Sequence, residues 1–235
     1  MVLSVVVATA VILAANWCWQ VWRKPTEIVG LLDVWNYKTP RELWTAYGPV
    51  FKEKSTSIMT PELLAALAHV ETGGNPIART YWKWSWSADW DRVFAPASSA
   101  AGMFQITDGT LKEAENFCVK DRRVFRDRGR RGECAHKVAV SRLFPTDAVE
   151  MTAGRLHWEA ERIAAEVYSR KRARTLDLNS YRKIAVVTHL CGAGAAERFA
   201  RAHLSWQRLG RCGDHSPQRY YERVRRLSMT FKSYN

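Results

Sequence analysis

Residues 69–76 read HVETGGNP, and residues 98–107 read SSAAGMFQIT. The first stretch closes an apolar run that opens at the start signal Thr60-Pro61-Glu62 and places Leu63, Leu64, Leu67 and Val70 at helical spacing. Gly73 stops that helix. A carboxylate, Glu71, therefore stands in the last turn of a helix built for burial. Leu64, Leu67 and Glu71 fall at i, i+3 and i+7, so the acid shares a face with leucines. Partial burial disfavours the charged form, and the negative end of the helix macrodipole acts the same way. Both predict a raised Glu71 pKa, suited to a general acid. Gly73 and Gly74 are expected to leave room for a bulky substrate beside it. The plain alternative is a helix-terminal glutamate paired with an arginine such as Arg79.

Around this helix the chain reads as mainly helical. Thr39-Pro40 opens a short helix that runs through RELWTAY and ends before Pro49, within a membrane-proximal spacer and packing arm. Residues 77–98 break the helical period and crowd Tyr81, Trp82, Trp84, Trp86 and Trp90 into a loop or small β-ribbon. Helix signals return from Thr107 or Asp108 to Cys118. The charged stretch KDRRVFRDRGRRGECAHK (120–137) then reads as a solvated excursion closed by a Cys118–Cys134 bridge. Thr146 caps a long helix with Val149, Ala153, Leu156, Ala160, Ile163 and Val167 on one face, ending in the basic run SRKRAR (169–174). Further helices are expected at 179–191, 194–203 and 217–232. No internal repeat and no G-x-G-x-x-G loop appears.

Residues 2–22, VLSVVVATAVILAANWCWQVW, carry no charged side chain and suffice to cross a hydrocarbon core as a helix. No Lys or Arg precedes them, and Ile12 and Leu13 stand two residues upstream of Ala14 and Ala15. Signal-peptide features are thus missing and an uncleaved anchor is expected. Trp17 fits poorly before a lipoprotein-type Cys18, which reads as an apolar anchor residue, and Trp17, Trp19 and Trp22 match an interfacial aromatic belt. Arg23 and Lys24 would, by the positive-inside rule, keep the rest of the chain in the cytoplasm. Against that stand Cys118, Cys134, Cys191 and Cys212, which fall as two local pairs and suit disulfides in an oxidising compartment. A zinc site on Cys134-Ala-His136 and Cys212-Gly-Asp-His215 is the competing reading, but neither pair has a usual ligand spacing. No metal and no cofactor is expected.

A net charge of +13 with an apolar fraction of 47% describes a packable chain with an acidic partner: nucleic acid, an anionic membrane face or an acidic polymer such as cell wall. The stretch RYYERVRRL (219–227) raises nucleic acid, but no recognition-helix motif supports it and the apolar segment argues against it, so none is expected.

Taken together, HVETGGNP and SSAAGMFQIT resemble the signature of the soluble lytic transglycosylases and the related goose-type lysozymes. That pattern is a catalytic Glu followed by Ser or Thr, an Asn-Pro turn, then Ser-x-x-Gly-x-x-Gln. The matching positions are Glu71, Thr72, Asn75, Pro76, Ser99, Gly102 and Gln105, with Thr110 after the turn. The resemblance implies a lysozyme-like fold over residues 55–232, within a domain spanning 55–235 that follows an anchor (1–22) and the spacer (23–54). It implies peptidoglycan glycan strands as substrate, cut at the MurNAc-GlcNAc β-1,4 bond. Glu71 would be the only acid and base, with a 1,6-anhydromuramoyl product. Ser99, Gly102, Met103, Phe104 and Gln105 would line the cleft floor, and one or two of the aromatics Tyr81, Trp82, Trp84, Trp86 and Trp90, with Trp84 and Trp86 the candidates, would stack on sugars. The family's Ala-Tyr-Asn-Ala-Gly motif is replaced by THLCGAG (188–194), where His189 is the candidate contact. Asp89, Asp91 and Asp108 are the carboxylates available for a second role. The implied setting is a bacterial inner membrane with the catalytic part facing the periplasm, serving secretion, conjugation or phage machinery. Secreted or virion-associated placement is the alternative. A hydrolytic muramidase or endolysin and a non-catalytic wall-binding scaffold are the rival functions.

Overall fold

The computed structural model describes residues 2–23, 37–80, 82–85, 89, 93–126, 134, 141–168 and 176–234. The helix that carries Glu71 lies at the centre of its core. It spans Pro61–Thr72, with the Thr60 hydroxyl accepting the Leu63 N–H at 3.4 Å and Leu63 to His69 all buried. Two residues in the left-handed region, Gly73 (φ 61°) and Gly74 (φ 74°), turn the chain out of it, their N–H groups donating to the carbonyls of His69 and Ala68 at 3.0 Å. A Cβ on Gly73 would come within 2.3 Å of the Tyr37 ring, and one on Gly74 within 2.1 Å of Leu43. These glycines therefore admit Tyr37 and Leu43, not a substrate, which corrects the expectation of open space there.

Before this helix come α1 (Val2–Arg23) and α2 (Pro40–Glu53); the central helix is α3. α2 begins with a capping box, Glu42 Oε2 accepting the Thr39 N–H and hydroxyl at 2.8 Å. It does not end before Pro49. The chain stays helical to Glu53 because Phe51 is fully buried, stacked 6.4 Å from Trp44, and the Lys54 N–H closes on Val50 at 3.0 Å. Leu43, Trp44 and Phe51 join the same core as α3, so residues 40–53 are part of the body and not a spacer.

Next come the antiparallel ribbon β1 (Trp82–Trp84) with β2 (Phe94–Pro96), the short α4 (Asp108–Ala114) and a hairpin of β3 (Phe117–Lys120) with β4 (Arg123–Arg126). Cys118 thus lies in a strand, not at the end of a helix. Phe117, Cys118 and Val119 are buried, and Asp121 and Arg122 turn with φ of 50° and 64°, the signs a type I′ hairpin demands. Buried Glu150 accepts the Val119 N–H at 2.8 Å, and Gly154 lets Phe117 sit where a Cβ would approach within 2.9 Å. The rest of KDRRVFRDRGRRGECAHK, apart from Cys134, and the run SRKRAR lie outside the described residues.

α5 (Pro145–Tyr168) starts one residue ahead of the expected cap, Thr146. Its Val149, Ala153, Leu156, Ala160 and Ile163 are buried and Val167 packs at their edge. α6 (Leu178–Cys191), α7 (Ala193–Arg201), the single-turn α8 (Trp206–Leu209) and α9 (Pro217–Lys232) complete the chain. α9 lies along α3, with Phe231 fully buried 5.7 Å from Trp44. The protein is mainly helical. α1 contains a 21-residue stretch, Val2–Trp22, long and apolar enough to cross a membrane, a description a signal sequence also satisfies. Along it Asn16 and Gln20 are buried, and α1 is in contact with β2.

Disulfides join Cys118 to Cys134 and Cys191 to Cys212, consistent with an oxidising compartment. Oxidised sulfurs are not thiolate ligands, so the zinc reading is set aside. The Cys191–Cys212 bridge closes a 21-residue separation. Loop entropy assigns it about 3 kcal/mol. The double substitution Cys191→Ser and Cys212→Ser is expected to lower Tm by roughly 6–12 °C in a thermal melt.

Candidate active site

Glu71 is held at the end of α3 with its side chain 18% exposed, and its neighbours come from two distant helices. The Tyr220 hydroxyl, from the first turn of α9, donates to Glu71 Oε1. His189 Nε2, from the last turn of α6, stands 3.4 Å from that same oxygen. The Cys191–Cys212 disulfide ties the end of α6 to a tight turn in which Cys212 and His215 exchange backbone bonds of 3.0 and 3.1 Å, and the His215 imidazole also acts on Glu71. Glu71 Oε2 has no hydrogen-bond partner among the described residues, leaving one oxygen for a substrate.

Burial pushes the Glu71 carboxyl up, but the His189 hydrogen bond and charge, the Tyr220 hydroxyl and the His215 charge together outweigh it. They hold the carboxyl below the ordinary glutamate value. The sequence expectation of a raised pKa is therefore corrected. Tyr220 lies 149 residues from Glu71, beyond anything a local reading of the acid's own helix includes. Tyr220 is moved the opposite way: burial, then the Glu71 charge and their hydrogen bond, raise its phenol well above the usual value, so it remains a donor.

The second motif forms a tight turn against the end of α3. Ala101 and Ile106 exchange backbone bonds of 3.2 and 3.1 Å, and the Gly102 N–H donates to Ala78 at 2.8 Å. Thr72, next to the acid, donates its hydroxyl to the Met103 carbonyl at 3.0 Å, which locks the turn to the end of α3. Buried Asn75 fixes the intervening corner, its Oδ1 accepting the Ile77 N–H at 3.0 Å. Arg142 clamps the far side, donating to the Ile106 carbonyl at 2.8 Å and pairing with Asp108 at 2.7 Å.

Glu71 and His189 are brought together, and His189 and Gln105 meet at one cavity, of which Glu71 is not itself a lining residue. That cavity, of about 160 Å³, is bordered by Gln105, Thr107, Thr110, Arg155, His189 and Gly192. The Gln105 amide N–H groups are partly spent on the turn, at 3.1 Å to Gly102 and 3.4 Å to Ala78, so its carbonyl is the group left for a ligand. Met103 and Phe104 are fully buried, and Ser99 Oγ accepts the Asp108 N–H at 3.1 Å. Phe104 nevertheless lines the cavity beside Gln105, whereas Met103 and Ser99 shape the turn without bordering it, a correction to the reading of those two as contacts on the cleft floor. Trp84 is 64% exposed and stacked 4.5 Å from Phe94 on the ribbon, away from the residues that border the cavity. Trp86, Trp90, Tyr81 and Asp91 lie outside the described residues, Asp89 is exposed, and Asp108 is committed to Arg142. Glu71 pairs with His189, not Arg79.

Two site residues, Tyr220 and His215, escape the sequence reading. Tyr220 had a signal: Tyr220, Val224, Leu227 and Phe231 follow at i, i+4, i+7 and i+11, an inward stripe that RYYERVRRL hides beneath its arginines. His215 had none, since the disulfide and the packing of α9 against α3 bring its turn to the acid. No protein-family model, no curated protein and no solved structure matches this chain.

Proposed function

We propose that the protein is a peptidoglycan lytic transglycosylase with a lysozyme-like catalytic body, in which Glu71 is the acid and base. The observation that supports this reading most directly is the placement of Glu71. It is a nearly covered carboxylate with one oxygen fixed by Tyr220 and His189 and the other unengaged, joined through Thr72 to the Gly102–Gln105 turn at a cavity mouth. In the reaction, protonated Glu71 gives its proton to the glycosidic oxygen as the bond from the muramoyl carbon breaks. The resulting carboxylate takes the proton of the muramoyl 6-hydroxyl, whose oxygen closes onto the same carbon as a 1,6-anhydro ring. Tyr220 and His189 stabilise the charged form of Glu71 between the two transfers. A glycan seated on the acid removes its remaining exposure to water, which pushes its pKa up at the moment a proton donor is needed. The excess of positive charge suits a glycan that carries acidic stem peptides.

Purified peptidoglycan digested by the full chain should release muropeptides with anhydro ends, each one water lighter than the hydrolytic product in mass analysis. Reducing ends would assign a muramidase instead, and no release at all would leave a wall-binding scaffold.

The lowered Glu71 pKa sets the pH dependence. The free enzyme needs protonated Glu71 to start, so kcat/KM is expected to fall as pH rises through the lowered value. His189→Ala removes a group that favours the carboxylate and should move this limb to higher pH. An unmoved limb, or one displaced to lower pH, would count against the pairing. The sign for stability is opposite: the ionised form is favoured by folding, so its contribution is present above the unfolded pKa and is lost as pH falls through the folded one.

A further inference from the structure

Away from Glu71, the first turn of α3, the start of α6 and the later turns of α9 enclose a second cavity, of about 380 Å³. Its walls share no residue with the cavity beside His189. Successive residues of α9 separate the two: Tyr220 donates to Glu71, whereas Tyr221, about 100° further around the helix, lines the second cavity. Arg182 reaches this cavity from α6, and Arg225 and Lys232 reach it from α9; Glu62 is the one carboxylate among its described lining residues.

The chemistry of this wall is that of donors. None of the three cations is in an ion pair among the described residues. Arg182 uses only Nε, donating to the Ile58 carbonyl at 3.3 Å, which anchors the guanidinium and leaves its two amino groups unused among the described residues. The Tyr221 hydroxyl donates to Asn179 Oδ1 at 2.7 Å, so the carboxamide oxygen is occupied and its NH₂ remains. Arg225 and Arg182 both lie close enough to offset part of the rise that burial imposes on the Tyr221 phenol. α3 and α6, of 12 and 14 residues, begin at this cavity. Glu62 in the first turn of α3 and the Asp177 carboxylate that caps α6 already answer the positive ends of their macrodipoles, so the side-chain cations carry the charge argument.

Three cations against the one lining carboxylate, with Asp177 close enough to act on Tyr221, still leave a positive excess around a space with donors on α6 and α9. We propose that this cavity binds a phosphoryl dianion, a phosphate monoester or pyrophosphate group, at a site separate from the Glu71 cleft. A tetrahedral phosphoryl group accepts hydrogen bonds from several directions at once, which suits donors converging from α6 and α9; a planar carboxylate would engage fewer of them. The inference does not rest on the transglycosylase reading, because it uses neither Glu71 nor its neighbours.

Calorimetry on the full chain in detergent micelles, with pyrophosphate and then inorganic phosphate as probes, tests it. One-site binding is expected, and Arg225→Gln should weaken it by at least about tenfold. Arg182→Gln should do the same, with far-UV circular dichroism confirming that each variant is folded. Arg226→Gln removes the same charge one residue along, on the exposed face of α9, and should leave affinity within about twofold. Dihexanoylphosphatidic acid, used as a monomer, identifies the source: competition with bound pyrophosphate assigns a lipid headgroup, and failure to compete assigns a soluble phosphate ester. Absence of binding at millimolar pyrophosphate overturns the proposal. So does equal weakening by Arg225→Gln and Arg226→Gln, which would reveal only diffuse attraction to a basic protein.

Discussion

Glu71→Gln is expected to reduce muropeptide release from purified peptidoglycan by about 10²–10⁴ while the protein still folds. Glutamine keeps the size of the side chain, and its carbonyl still accepts the Tyr220 hydroxyl, so the geometry around the end of α3 survives. What it loses is the proton. On the proposed mechanism neither transfer, to the leaving oxygen or from the 6-hydroxyl, has another titratable group so placed among the described residues: His189 and Tyr220 both point at the acid's Oε1 and act through it. The substitution also removes a carboxylate that folding favours in its ionised form, so a small fall in Tm near neutral pH accompanies the loss of turnover. Chromatography of the released products and a thermal melt on the same preparation separate the two effects. Activity within tenfold of the wild type would remove Glu71 from the chemistry.

The second large effect is structural. Gly102→Ala is expected to lower stability by roughly 2–4 kcal/mol and to depress activity with it. Gly102 has φ of +78°, a conformation that costs an L side chain about 1–2 kcal/mol by itself. The added Cβ would also meet the Arg142 carbonyl at 2.3 Å and the Pro76 carbonyl at 3.2 Å. Both are backbone atoms, so relief requires the chain to move. Moving Arg142 loosens its bond to Ile106, and moving the 101–106 turn strains the Thr72 to Met103 bond that fixes the acid's end of α3. Gly109→Ala is the control, since a Cβ there meets nothing within 4 Å and the position is helical. It should be neutral or stabilising by up to about 1 kcal/mol. Thermal unfolding of both variants checks the contrast.

Much of the helical frame was legible because burial writes a period into the chain. The stripe from Val149 to Val167 and the cap at Thr60 needed no tertiary information. Where tertiary contacts overrode a local rule, the reading failed. Pro49 should have ended α2, but Phe51 beyond it fills the core beside Trp44. Helix signals ran on toward Cys118, yet that residue pairs as a strand because Glu150, on another element, receives the Val119 N–H. The site divides in the same way. Glu71 and the Gly102–Gln105 turn could be proposed from spacing, whereas Tyr220 and His215 reach the acid through helix–helix contact and a disulfide. Those distant partners reverse the direction in which the carboxyl is shifted.

The Cys191–Cys212 bond has a consequence for where the site is completed. One end follows His189 by two residues and the other precedes His215 by three, so a single covalent link joins the two segments whose imidazoles act on Glu71. Without it the His215 turn still runs into α9 and keeps its own backbone bonds, but the end of α6 is no longer fastened to it. Oxidation supplies that fastening. The final electrostatic surroundings of Glu71 are thus tied to an oxidising compartment.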